Sequence, residues 1–149
     1  MQNHDDMLAG INFKKLNLTE RQAHVWALRA QGITQTQIAK QWGTSRANVC
    51  MLEKAARKKI ERSKETVIFD EQLHAPLRMK CQPGELLLDI PPRLYRHADQ
   101  SDIKVNADGS MVIQQILTHA PTCVRENRFV RAVLLIVTNS GQLHVRPLA

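Results

Sequence analysis

Between Thr34 and Leu52 the chain reads Thr-Gln-Thr-Gln-Ile-Ala-Lys-Gln-Trp-Gly-Thr-Ser-Arg-Ala-Asn-Val-Cys-Met-Leu, and no other stretch restricts its possible folds so tightly. Thr34 suits the N-cap of a helix whose inward residues are Ile38, Ala39 and Trp42. Gly43 suits its left-handed stop, because glycine enters that conformation without a steric penalty. Thr44 and Ser45 then offer a new cap almost at once. Gln35, Ala39, Gly43 and Val49 stand at steps of four, four and six residues, with Ile38, Trp42 and Leu52 completing an apolar interface. Ala39 has to be small where two helices cross. This is the spacing of a helix-turn-helix, in which one helix can enter a major groove while its predecessor braces across the backbone.

The flanks extend the motif to a trihelical unit running from Leu18 to about Val67. Thr19 is an N-cap for a preceding helix, with Glu20 at the positive end of its dipole and Leu18 as a hydrophobic staple. Ala23, Val25, Trp26, Leu28 and Ala30 follow, and Gly32 closes that helix. The third helix reads from about Ser45 to Thr66, with Val49, Leu52, Ala56, Ile60, Ser63 and Val67 recurring at three- and four-residue steps. Such a helix spans roughly 33 Å, more than a recognition helix needs, so its second half is expected to pack on the C-terminal module or a second subunit. Residues 1–17 carry no clean periodicity and read as a partly ordered lead-in.

Beyond residue 70 the texture changes to short apolar runs punctuated by Pro and Gly, which predicts an α+β fold of two small modules, 1–69 and 70–149. Strands are expected at Leu77 to Gln82 and at Ile103 to Val105. Pro91 and Pro92 suit the first turn of a short helix through Ala98. Ser110 can cap a helix carrying Val112, Ile113, Ile116 and Leu117, with a strand from Met111 to Leu117 as the competitor. Phe129 to Thr138 and Gln142 to Arg146, joined by Asn139-Ser140-Gly141, form the best hairpin.

Charge separates the two modules. Residues 1–68 hold 12 Lys or Arg against 6 Asp or Glu, whereas residues 69–149 hold 9 against 8. A net charge of +6 on the first module against +1 on the second directs polyanions to the N-terminal one. The longest apolar stretch, Ala132 to Val137, is too short to cross a bilayer, and Met1 to Gly10 lacks the apolar core of a signal peptide. Cys50, Cys81 and Cys123 are an odd set at wide spacing, unsuited to a disulfide framework. A reduced, cytoplasmic protein is the expectation.

Within the motif, Ser45, Arg46, Ala47, Asn48 and, one turn on, Met51 are expected to face base edges. Arg46 can pair with guanine O6 and N7, Asn48 with adenine, and Ala47 or Met51 can meet a thymine methyl. Thr34, Gln35 and Gln37 at the second helix's start, with Lys54, Arg57 and Lys58, are the phosphate-contact candidates. For the basic run Arg57, Lys58, Lys59, Arg62 and Lys64, a solvated face paired to Glu53, Glu61 and Glu65 accounts for the pattern equally well. Trp26 and Trp42 occupy apolar helical positions, which suits packing better than base stacking. No His or Cys pair stands at zinc-site spacing, and Asp89, Asp99, Asp102 and His97 come without a nucleophile or a phosphate loop. Neither a metal, another cofactor nor catalysis is predicted.

The segments Leu18-Thr19-Glu20-Arg21-Gln22, Gly32-Ile33-Thr34-Gln35, Gly43-Thr44-Ser45-Arg46-Ala47-Asn48-Val49, Leu52-Glu53-Lys54 and Ile60-Glu61-Arg62 together resemble the archaeal Tfx family of DNA-binding transcription regulators. Gly84 through Ile90 with Pro91-Pro92, then Ala98-Asp99 and Ile103-Lys104-Val105, are similar to the same family's C-terminal domain. The resemblance implies a promoter-binding protein with an α+β C-terminal domain. Dimerisation and small-molecule effector sensing both suit that second module, and a non-specific architectural DNA-binding protein is the rival to sequence-specific regulation. A dimer is the expectation, since one helix-turn-helix contacts few base pairs.

Overall fold

The computed structural model describes residues 7–148; residues 1–6 of the lead-in and residue 149 lie outside the described residues. The chain divides into two compact units, which part between Val67 and Ile68.

The first unit contains α1 (Glu20–Ala30), α2 (Gln35–Trp42) and most of α3 (Arg46–Leu73). Thr19 and Thr34 cap α1 and α2 as the sequence predicts, each in a reciprocal box. The Thr34 hydroxyl accepts from Gln37 N at 3.1 Å while the Gln37 side chain accepts from Thr34 N at 2.9 Å. Two orphan amide donors are thereby satisfied at one helix start. Gly43 takes φ +64° and reverses the chain between α2 and α3. Val25, Leu28, Ile38, Ala39 and Val49 form the core, with Ile33, Trp42 and Leu52 packed against it. Ala30, the last of the apolar residues along α1, is exposed. It stands at the last position of α1, past the turn that the core covers.

The third helix departs from its expected end. It continues seven residues past Thr66, to Leu73. The Thr66 hydroxyl bonds back to Arg62 O at 3.0 Å inside the helix, so this residue does not terminate it. No Gly or Pro intervenes before Pro76, which disfavours the helical conformation at Ala75. Arg78 then caps the end, its guanidinium donating to Gln72 O and Leu73 O, each at 2.6 Å.

The second unit is built on a three-stranded antiparallel sheet of order β1-β4-β5, comprising β1 (Leu77–Cys81), β4 (Val133–Val137) and β5 (Leu143–Pro147). Leu77, Met79 and Cys81 share one face with Val133, Leu135, Val137 and Leu143. Helices α4 (Ile90–Gln100) and α5 (Gly109–His119) cover that face through Ile90, Leu94, Ala98, Val112 and Ile116. A separate two-stranded hairpin joins β2 (Val124–Arg125) to β3 (Arg128–Phe129). The three cysteines are unpaired, with Cys81 and Cys123 buried and Cys50 half-buried.

Four expectations for this unit need amendment. Ile103 to Val105 is not a strand: Ile103 and Val105 still turn inward against the core, but Ile103 N bonds to Ala98 O rather than to a ladder. α5 is a helix as preferred, yet Asp108 caps it by accepting from Met111 N at 2.9 Å. Ser110 serves only that cap, its hydroxyl donating to Asp108. The expected strand from Phe129 to Thr138 is split, because Phe129 pairs with Val124 and the backbone of Val130 and Arg131 turns onto Cys123 O before β4 begins. The expected strand to Gln82 ends one residue earlier, at Cys81.

Candidate nucleic-acid interface

The start of α3 presents Ser45, Arg46, Ala47, Asn48 and Met51 to solvent, and Met51 is 70% exposed despite its apolar side chain. Ala47, Met51, Lys54 and Lys58 follow one another at four-, three- and four-residue steps, so they share one exposed face. Val49, Glu53 and Ala56 are buried on the other side. This division comes from the α-helical period: a stripe apolar enough to fill the core leaves the opposite stripe free for a partner.

Several candidates already have work within the fold. Ser45 is the cap of α3, its hydroxyl accepting from Asn48 N at 3.1 Å. The Asn48 amide donates to Thr44 Oγ1 at 2.9 Å. Thr34 and Gln37 are both exposed and both engaged in the capping box. Arg46, Ala47, Met51, Lys54 and Lys58 carry no such commitment among the described residues.

Gln35 and Arg57 meet at a group that sequence reasoning assigned to the surface. Glu53 is only 5% exposed. Arg29 Nε of α1 donates to both its oxygens at 3.2 and 3.1 Å, Gln35 Nε2 of α2 at 2.6 Å, and Arg57 of its own helix at 3.1 Å. Arg29 also donates to Ile33 O at 2.9 Å. One carboxylate thus gathers donors from all three helices. Burial alone would raise the Glu53 carboxyl, but the Gln35 and Arg29 hydrogen bonds and the nearby guanidiniums outweigh it and hold the group below its ordinary value. The signal was present in the sequence: Glu53 lies four residues after Val49 and three before Ala56, on the inward stripe.

The tryptophans pack as expected. Trp42 lies against the core with the Arg21 guanidinium 5.2 Å from its ring centre, and half-buried Trp26 carries Arg57 at 5.8 Å. Each guanidinium covers one face of its ring, the geometry of a cation–π contact. Among the described residues no group of three His, Cys, Asp or Glu could hold a metal ion. No described helix is long and apolar enough to cross a membrane.

A family model for the helix-turn-helix domain of resolvase matches residues 14–49, the segment that holds α1, α2 and the turn into α3. A second, described as the C-terminal part of the DNA-binding protein TFX, matches residues 63–145, more than half of the chain. The chain belongs to the Tfx family. It is 34% identical over 132 residues to "DNA-binding protein Tfx" of Methanothermobacter thermautotrophicus, covering 89% of this chain and 90% of that one. A "Putative transcriptional regulatory protein" of Haloarcula marismortui is 35% identical over 144 residues, covering 95% and 91%. A protein of the same description from Pyrococcus horikoshii is 37% identical over 126 residues, covering 85% and 86%. These relatives are archaeal, and the Tfx family is one of DNA-binding transcriptional regulators, which is not an enzyme class.

Proposed function

We propose that this Tfx-family protein is a sequence-specific regulator that reads duplex promoter DNA in the cytoplasm by seating the start of α3 in the major groove. The observation that carries the reading is the uncommitted, exposed face of α3, where Arg46, Ala47 and Met51 adjoin Lys54 and Lys58. Arg46 is the guanine reader, Ala47 and Met51 meet thymine methyls, and Asn48 reads adenine after exchanging its Thr44 bond for the base. Lys54 and Lys58 hold phosphates. Thr34, Gln35 and Gln37 bring the start of α2 to the backbone, and Arg57 divides its guanidinium between Glu53 and a phosphate. A symmetric dimer doubles the few base pairs that one reader covers, with half-sites about 34 Å apart.

The test is selection of bound duplexes from a random pool at about 0.15 M salt, with wild type and Arg46→Ala in parallel. The expected result is an enriched motif that degrades in the variant, at a cost of about 1–3 kcal/mol on the selected sequence, while Lys58→Ala weakens all sequences alike. A two-fold repeat in the motif supports the dimer. Salt-sensitive binding with no enriched motif would replace this reading with an architectural one.

A further inference from the structure

The β2–β3 hairpin breaks two local rules within four residues. Arg125 and Arg128 are direct cross-strand partners, a position where like charges repel. The two turn residues between them, Glu126 and Asn127, both take left-handed conformations, at φ +50° and +60°. This geometry suits Asn-Gly or Asp-Gly, and Glu is a poor choice for it. The side chains of residues 125–128 are all exposed, while their backbone is held from one side, where Leu87 N donates to Asn127 O at 2.8 Å and Phe129 N to Glu85 O at 3.0 Å. Arg131, also exposed, adds a third cation where the ribbon ends, its backbone N directed at Cys123 O.

These cations are poorly neutralised. Among the described residues the side chains of Arg125 and Arg131 have no hydrogen-bond or ion-pair partner, and the Arg128 side chain gives only Nη1 to Gly84 O, at 2.9 Å. Glu85, which lines the same cleft of about 230 Å³ as Arg128 and Asp89, is held by Arg93. Strain and like-charge repulsion persist where a partner makes use of them. An anion lying across the Arg125–Arg128 rung would convert the repulsion into two attractions, and guanidinium forks match phosphate oxygens in shape.

We propose that the β2–β3 hairpin is a second duplex-DNA contact, in which Arg125, Arg128 and Arg131 hold backbone phosphates without reading bases. The proposal rests on the DNA-binding reading above and adds an electrostatic role for the C-terminal unit.

The test measures affinity of the full-length protein for a selected duplex and for a scrambled one across a potassium chloride series. Wild type is compared with Arg125→Ala/Arg131→Ala, which removes no hydrogen bond of the fold, and with Arg125→Lys/Arg131→Lys. The alanine variant is expected to bind both duplexes roughly tenfold more weakly at about 0.15 M salt, with a log–log salt slope shallower by about 2 and an unchanged preference between them. The lysine variant retains most of the affinity and the slope. Equal affinity and slope for wild type and the alanine variant would overturn the proposal and leave the helix-turn-helix reading intact. Unaltered DNA binding with impaired promoter control would overturn it in favour of an acidic protein partner. If wild type bound neither duplex, both readings would fall together.

Discussion

Glu53 is the residue on which most of the N-terminal unit's polar structure converges. Removing one member of a buried, charged cluster leaves the others desolvated without a partner, typically at 3–5 kcal/mol. Here Arg29 and Arg57 keep 35% and 50% of their side-chain exposure and can rehydrate, so Glu53→Ala is expected to cost about 2–3 kcal/mol. Urea unfolding at neutral pH measures it. Because the folded-state value of Glu53 is depressed, its contribution is fully present above the ordinary glutamate value and is lost as pH falls through the lower folded value. Glu85, held by Arg93, adds a loss of the same sign. Wild type should therefore lose stability on acidification more steeply than Glu53→Gln; parallel pH profiles would contradict the role given to this carboxylate.

At the scale of elements, two glycines with similar backbone angles make different predictions. Gly43, at φ +64°, has nothing within 4 Å of where a Cβ would stand, so Gly43→Ala costs only left-handed strain, about 1 kcal/mol. Gly141, at φ +84°, would place a Cβ 2.1 Å from Lys104 O, and Gly141→Ala should lose on the order of 3 kcal/mol or more. Comparing the two denaturation midpoints checks the contrast. The same distinction explains what was legible in the sequence. Thr19, Thr34 and Gly43 act within four residues of themselves, so their chemistry fixes α1, α2 and the turn without reference to the rest of the chain. Ile103 to Val105 has the alternation of a strand, but whether it pairs depends on which distant segments take the ladder positions beside β4. The β2–β3 turn uses Glu126 where a glycine would have announced it. Glu53 was misplaced because a Glu four residues before an Arg also describes a solvated surface pair.

At the scale of the whole molecule, the two tryptophans both belong to the unit ending at Val67, so their fluorescence reports that unit alone. If that unit holds the principal DNA contacts, adding a selected duplex at about a hundred times its dissociation constant should stabilise the tryptophan-detected transition by about 2.7 kcal/mol. A midpoint that stays fixed while the duplex is bound would remove the N-terminal unit from the interface. The family assignment rests on the other part of the chain as well, since residues 63–145 carry the match to the C-terminal TFX model. Motifs spread through both units made that membership readable from sequence, whereas the base- and phosphate-contacting roles depend on a bound duplex.

The central position of β4 also has a bearing on how the chain reaches its native state. Val133–Val137 is a run of five aliphatic residues bonded on both sides, and its two partners differ greatly in their distance along the chain. β5 follows after the short turn through Gly141, so that hairpin can zip locally within microseconds. β1 lies more than fifty residues earlier and must be recruited across the whole helical layer. During that interval one edge of an uncharged, aliphatic strand is open to identical strands of neighbouring chains. The finished sheet closes the hazard by placing Arg78 and Lys80 on one outer strand and Arg146 with Pro147 on the other, so that aggregation competes with folding only until β1 docks.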